Sequence, residues 1–154
     1  MRSKILIVGP AASGKDYLKK KFEEKLFAGG VFSTTRPIRE NETNGVDYFF
    51  VDGVENMPND FVVGNSYNNW DYRLPVCQWD KGEVFIFTPE YLNQLSEEKR
   101  KQCVVIYVCP NWFVRLFRLL KRGDVDKVFR RMRADRKQFK NFANYDIKIT
   151  NSKF

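Results

Sequence analysis

The 154-residue sequence contains no histidine. That excludes Ser-His and Cys-His nucleophilic catalysis and every histidine-based metal site. Any chemistry here must rest on lysine, arginine, carboxylates and a metal–nucleotide complex. Cysteine is scarce: Cys77, Cys103 and Cys109 are odd in number and lack a Cys-x-x-Cys spacing. Neither a disulfide framework nor a zinc site follows, and Cys103 and Cys109, which bracket a strand-like run, are expected as buried thiols. No apolar run approaches the ~20 residues that span a bilayer, and Ile5–Val8 is too short for a signal-peptide core. A cytoplasmic chain with no membrane partner is expected.

Acidic residues are outnumbered, 19 against 27 lysines and arginines, for a formal net charge of +8. The surplus suits polyanionic ligands, but charge alone names no partner. Nucleic-acid binding through the basic stretch 126–140 has only charge behind it and is not expected. Apolar content of 43% and aromatic content of 16% indicate one folded domain with a substantial core.

Ile5–Val8 ends in glycine, as a buried parallel strand would. Leu18, Phe22 and Leu26 then recur every four residues, predicting a helix face that Ala28-Gly29-Gly30 terminates. Val31-Phe32 starts a second strand. Residues 33–80 are rich in Asn, Gly, Pro and Asp, with short aromatic runs at Tyr48–Val51 and Phe61–Val63. They read as a small inserted subdomain of short strands and loops. Val84–Phe87 is the next strand, and Thr88-Pro89-Glu90 opens a helix to about Lys99. Val104–Val108 is a further strand. Pro110 opens a helix with Trp112, Phe113, Leu116, Leu119 and Leu120 on one face and Arg115, Arg118 and Arg122 on another. After Gly123-Asp124 comes a long basic helix with Val128, Phe129, Met132 and Phe139 on its apolar side, and Ile147 and Ile149 mark a last strand. The alternation predicts a three-layer α/β fold with a mostly parallel sheet.

Two stretches carry chemistry. Gly9-Pro-Ala11-Ala12-Ser13-Gly14-Lys15 follows a strand and opens a helix, the context in which a Gly-rich loop wraps phosphates and its lysine reaches their outer oxygens. The next position usually offers a hydroxyl to Mg²⁺; here it is Asp16, itself a hard oxygen ligand. The second stretch places Arg36 and Arg39 three residues apart, with Tyr48 following Gly45. Guanidinium forks match phosphate oxygens, and a phenol adds a donor. Two phosphate sites in one short chain point to phosphoryl transfer between two phosphorylated substrates.

The loop Gly9–Asp16, the tract Thr34-Thr-Arg36-Pro-x-Arg39-x-x-Glu42-x-x-Gly45-x-Asp47-Tyr48-x-Phe50 and the tail Tyr145-Asp-Ile-Lys-Ile-Thr-Asn151 resemble the guanylate kinase family of P-loop nucleoside monophosphate kinases. The resemblance implies a P-loop NTPase fold across residues 1–154: a core of 1–32 and 81–154, a β-rich monophosphate-binding insertion of 33–80, and a short lid at about 122–131. It implies ATP as co-substrate, Mg²⁺ as cofactor with Asp16 as candidate ligand, small-molecule nucleotides as partners, and a monomer or homodimer. Gly9, Ala11, Ala12, Ser13, Gly14, Lys15, Asp16 and Asn151 match ATP-binding positions, Asn151 near the adenine. Lys15, Arg118, Arg122 and Arg131 match catalytic positions around the transferring phosphoryl, with Arg130 or Arg133 as alternatives to Arg131 because the lid is shorter than the family's. Arg36, Arg39, Tyr48 and Tyr72 match the grip on the acceptor phosphate. The guanine-reading positions differ: the family serine is Phe32 and the family glutamate is Val63. The family's strand-end acidic pair, which serves the metal and acceptor side, is Thr88 and Glu90, of which only Glu90 is acidic; Val63 and Glu90 complete the acceptor-binding positions. The loss of the guanine readers implies altered base specificity, with Asn65, Asn68 or Asn69 as alternative hydrogen-bonding groups. Two other readings follow from the same residues: a ribose-bisphosphate-type sugar phosphate kinase, for which Tyr72-Arg-Leu-Pro75 speaks, and a catalytically impaired binding module.

Overall fold

Strand β1 (Lys4–Val8) runs through the middle of a four-stranded, all-parallel sheet. Its side chains alternate between faces, as the pleat requires. Leu6 and Val8 join one core cluster while Ile5 and Ile7 join another on the opposite side. Strand order is β6 (Val84–Phe87), β1, β7 (Cys103–Val108), β8 (Ile147–Ile149). A computed structural model describes residues 3–121 and 125–151.

Helix α1 (Lys15–Glu23) covers one face through Leu18 and Phe22. The other face is covered by Trp79, Tyr91 and Leu92 and by the aromatic segment Phe139, Phe142 and Tyr145. Two covered faces make the three layers that the alternation predicts.

The helix is shorter than its apolar period implies. Leu26 lies beyond it with φ +68° and is 92% exposed, and Phe27 takes its place, meeting Phe22 edge-on at 5.5 Å. Gly29, expected only as a helix stop, makes a parallel bridge to Val84.

A second, mixed sheet has the order β3 (Tyr48–Phe50), β2 (Phe32–Thr34), β5 (Trp70–Pro75), β4 (Phe61–Tyr67). Asn68 and Asn69 connect β4 to β5 with φ of 51° and 64°. Two consecutive left-handed residues are what a tight hairpin turn demands, and asparagine tolerates them. Helix α2 (Val76–Lys81), absent from the sequence reading, seats Trp79 against Phe85 at 5.3 Å. The single helix expected to about Lys99 is two, α3 (Pro89–Gln94) and α4 (Glu97–Lys101), because the Ser96 side chain accepts the Lys99 amide and starts a new helix. Helices α5 (Trp112–Lys121) and α6 (Val125–Gln138) pack together beside the Gly-rich loop through Leu119, Val128, Met132 and Ala12.

Candidate active site

The loop from Gly9 to Lys15 turns sharply between β1 and α1. A Cβ at Gly9 would lie 2.5 Å from the Val108 carbonyl oxygen, so the chain passes β7 only without a side chain there. Gly14 sits at φ +98° immediately before α1, where glycine avoids the strain of a Cβ. Lys15 is therefore the first helical residue, and the helix N-terminus faces the loop, the arrangement that attracts anions. Ser13 is fully buried, and its Oγ has no hydrogen-bond partner among the described residues. Asp16 in the first turn is exposed.

Helix α5 supports this loop with Leu116 and Leu119 of its apolar face and with arginines. Phe113 and Phe117 are 72% and 69% exposed, whereas Arg115 is buried. Arg115 Nε donates to the Ala11 carbonyl at 3.0 Å, and Arg118 Nη1 donates to the Ala12 and Ser13 carbonyls, each at 3.2 Å. Arg115 and Arg118 of the arginine face are thus turned toward the loop. Sequence reasoning missed Asp135, whose carboxylate pairs with Arg115 and accepts the Ala11 amide at 3.1 Å. Its one signal was an acid alone in the basic run Arg133-Ala-Asp135-Arg136. Burial raises the Asp135 pKa against the opposing pull of Arg115, the Ala11 amide, Lys15 and Arg131. Those charges therefore converge on one carboxylate.

The second sheet presents the other candidate group. Arg36 is buried against the rings of Tyr48 and Phe50, each 5.4 Å from its guanidinium carbon. Its fork meets Glu42 in two hydrogen bonds of 2.8 and 3.0 Å. Glu42 also accepts the Arg39 amide at 2.9 Å, which fixes the backbone under that second arginine. Asp47 accepts the Thr43 amide and Asn44 accepts the Phe50 amide. The residues between Arg39 and Tyr48 are thus occupied in shaping the loop that carries both. Tyr48 meets Tyr72 edge-on at 6.0 Å. Burial pushes the Tyr48 phenol up to about 12; Tyr72 and Asp16 add to the shift and Arg36 opposes it.

A cleft of about 710 Å³ beside these groups is lined by Arg39, Tyr67 and Asn68 together with Lys127, Arg130 and Arg131 of α6. Such a basic cleft accommodates phosphates.

At the position expected to read a base, the structure is apolar and filled. Phe32 packs on Tyr91 at 5.2 Å, and Val63 is completely buried in the same cluster. Val63, at a position expected among the acceptor-binding residues, thus lies in the core cluster. The polar groups beside this cluster come from elsewhere. Asn65 Nδ2 donates to Glu90 Oε2 at 3.0 Å, and the Tyr91 hydroxyl donates to Asn65 Oδ1 at 2.7 Å. Thr88, the other strand-end position, caps α3 by accepting the Tyr91 amide at 3.3 Å. Asn68 and Asn69 make the hairpin turn. Asn151 is exposed just past β8, and Arg122 lies outside the described residues.

The sequence model of the guanylate kinase family matches residues 1–65. Guanylate kinase of Mycoplasma genitalium is 30% identical over 166 residues, covering 97% of this chain and 69% of that protein. The chain belongs to the guanylate kinase family. The Mycoplasmopsis pulmonis guanylate kinase is 29% identical and is covered over 87% of its length. The crystal structure of guanylate kinase from Anaplasma phagocytophilum, 20% identical, shares the fold with a TM-score of 0.67 across 99% of this chain and 79% of that one. As a member of the guanylate kinase family, the protein is a kinase with the P-loop NTPase fold expected from its sequence. Among the described residues no helix is long and apolar enough to cross a membrane.

Proposed function

We propose that this kinase transfers the γ-phosphoryl of ATP to a nucleoside or deoxynucleoside monophosphate in the cytoplasm, and that it reads the base through Asn65 and Glu90. The observation that carries the reading is the shared cleft, lined by Arg39 together with Arg130 and Arg131. In this reading residues 33–80 are the acceptor-binding insertion, 1–32 and 81–154 the core, and about 122–131 the lid.

Phosphoryl transfer asks the protein mainly for alignment and for neutralisation of spread charge. The loop amides and Lys15 hold the donor phosphates at the positive end of α1. Arg36, Arg39, Tyr48 and Tyr72 hold the acceptor phosphate, one of whose oxygens attacks the γ-phosphorus as the bond to the β-phosphate bridging oxygen breaks. ADP leaves and a nucleoside diphosphate forms. Arg118, Arg131 and Arg122 offset the charge on the transferring group. The donor set fits Mg²⁺: a single exposed carboxylate, Asp16, beside bound phosphate oxygens is the usual environment of that ion, which supplies charge neutralisation across the phosphates. Closure of insertion and lid around both substrates excludes water as a competing acceptor.

The base readers are argued from the residues present. Phe32 and Val63 offer no hydrogen bond, and an apolar surface discriminates poorly among polar bases. Asn65 and Glu90 together offer an amide donor and a carboxylate acceptor beside that surface, which supports selection by hydrogen bonding with a preference other than that of the family's guanine readers. The test is an acceptor panel of ribo- and deoxynucleoside monophosphates with sugar phosphates, ATP as donor, and product identification. The reading expects turnover of a nucleoside monophosphate, with GMP not the preferred one. Turnover of sugar phosphates alone, or of none, contradicts it.

A further inference from the structure

We propose that Arg115 and Asp135 are positioning residues of the donor site. Together they clamp both backbone groups of Ala11 and fasten the phosphate loop to the helix that carries Arg131. The proposal rests on the reading that this loop holds the phosphates of ATP.

The two side chains are 10% and 14% exposed and pair directly. Arg115 donates to the Ala11 carbonyl while Asp135 Oδ2 accepts the Ala11 amide. One residue of the loop is thus held from both sides by a single ion pair that bridges α5 and α6. Arg118, one turn further along α5, takes the next two carbonyls, Ala12 and Ser13. Two arginines three residues apart on one helix therefore hold three consecutive loop carbonyls. The loop has need of such support, because Ala12 adopts φ +57°, a region that side-chain-bearing residues enter reluctantly.

Stability alone does not account for the pair. A buried ion pair is commonly no more stabilising than apolar residues filling the same space, because both charges must be desolvated. What an apolar substitute cannot reproduce is direction: a donor aimed at the Ala11 carbonyl and an acceptor aimed at its amide. The carboxylate also sits where the charges of Lys15 and Arg131 converge. Asp135 lies on the helix that carries Arg131 and holds the Ala11 amide, so that loop and helix act on the donor as one unit. Phosphate binding is sensitive to such offsets, since preorganised donors act only where they point at the developing charge.

The closing experiment compares the wild type with the apolar double variant R115L/D135A by thermal unfolding, by calorimetry with ATP and Mg²⁺, and by steady-state kinetics. The expected result is an unfolding temperature equal to or above the wild type, ATP binding and KM weakened at least tenfold, and an acceptor KM within about twofold. Should the double variant not fold, Arg115→Lys and Asp135→Asn are read for the same split: a raised ATP KM with an unchanged acceptor KM. An ATP affinity equal to the wild type, or ATP and acceptor KM values that rise together, overturns the proposal. Absence of ATP binding by the wild type fells the underlying donor-site reading and the clamp with it; normal wild-type binding with an indifferent double variant fells the clamp alone.

Discussion

Arg36 and Glu42 meet fork to fork, Nη1 at 3.0 Å and Nη2 at 2.8 Å from the two carboxylate oxygens. An arginine expected to grip a phosphate is therefore itself held in place by a carboxylate six residues on. Hydrogen bonds from Arg36, and from the Arg39 amide, draw the Glu42 pKa below the ordinary carboxylate value. A depressed carboxylate pKa stabilises the fold above the unfolded value of ~4.3, and the contribution is lost as pH falls through the folded value. Glu42→Gln should cost about 2 kcal/mol at pH 7, and the difference from wild type should shrink below about pH 4. Thermal unfolding from pH 7 to pH 3 measures it. A constant difference across that range contradicts the ion pair.

Lys15→Ala should leave the fold intact and lower turnover by about two to three orders of magnitude, the scale of removing one preorganised charge from a transition state. Steady-state kinetics alongside circular dichroism check both halves of the statement.

Asn65→Leu should lower kcat/KM for the preferred monophosphate by about 10- to 100-fold and flatten the ranking of the acceptor panel, with ATP KM unchanged. A preserved ranking would mean that the base is read elsewhere.

Val63→Glu places a carboxylate in a site with no exposed surface. It should destabilise the protein by more than ~4 kcal/mol, so the variant should be largely unfolded or insoluble. A well-folded variant with increased use of GMP would place residue 63 in the cleft instead of the core.

Much of this architecture was legible before any coordinates. The continuous apolar runs of β1, β6 and β7 specify a sheet covered on both faces, and the glycines flanking Ala11–Ser13 specify the loop. What escaped was what periodicity does not encode. Leu18, Phe22 and Leu26 keep a helical period, yet the chain leaves the helix at Glu23 so that Phe27 can cover the sheet. On α5 the pattern gave the two faces but not that both pack in part: Leu119 and Arg115 are buried, whereas Phe113 stays out. Asp135 was invisible because its partners lie more than a hundred residues away or on another helix. Val63, expected among the acceptor-binding positions, is buried in the core cluster, which spacing alone does not reveal.

The cysteines give a simple check on the packing. Burial pushes the Cys103 thiol up to about 11, and its Sγ donates to the Lys99 carbonyl at 3.0 Å. Cys77 is exposed. Alkylation at pH 8 should modify Cys77 within minutes and leave Cys103 unmodified until the protein unfolds, as peptide mass spectrometry will report.

The most direct measurement is calorimetric titration with a bisubstrate analogue in which adenosine and a second nucleoside are joined through five phosphates. Binding of one equivalent, tighter than ATP or monophosphate alone and weakened at least tenfold by both Lys15→Ala and Arg39→Ala, is the predicted result. Binding of two equivalents, or an Arg39 variant that binds like the wild type, would contradict a single cleft spanned by both phosphate sites.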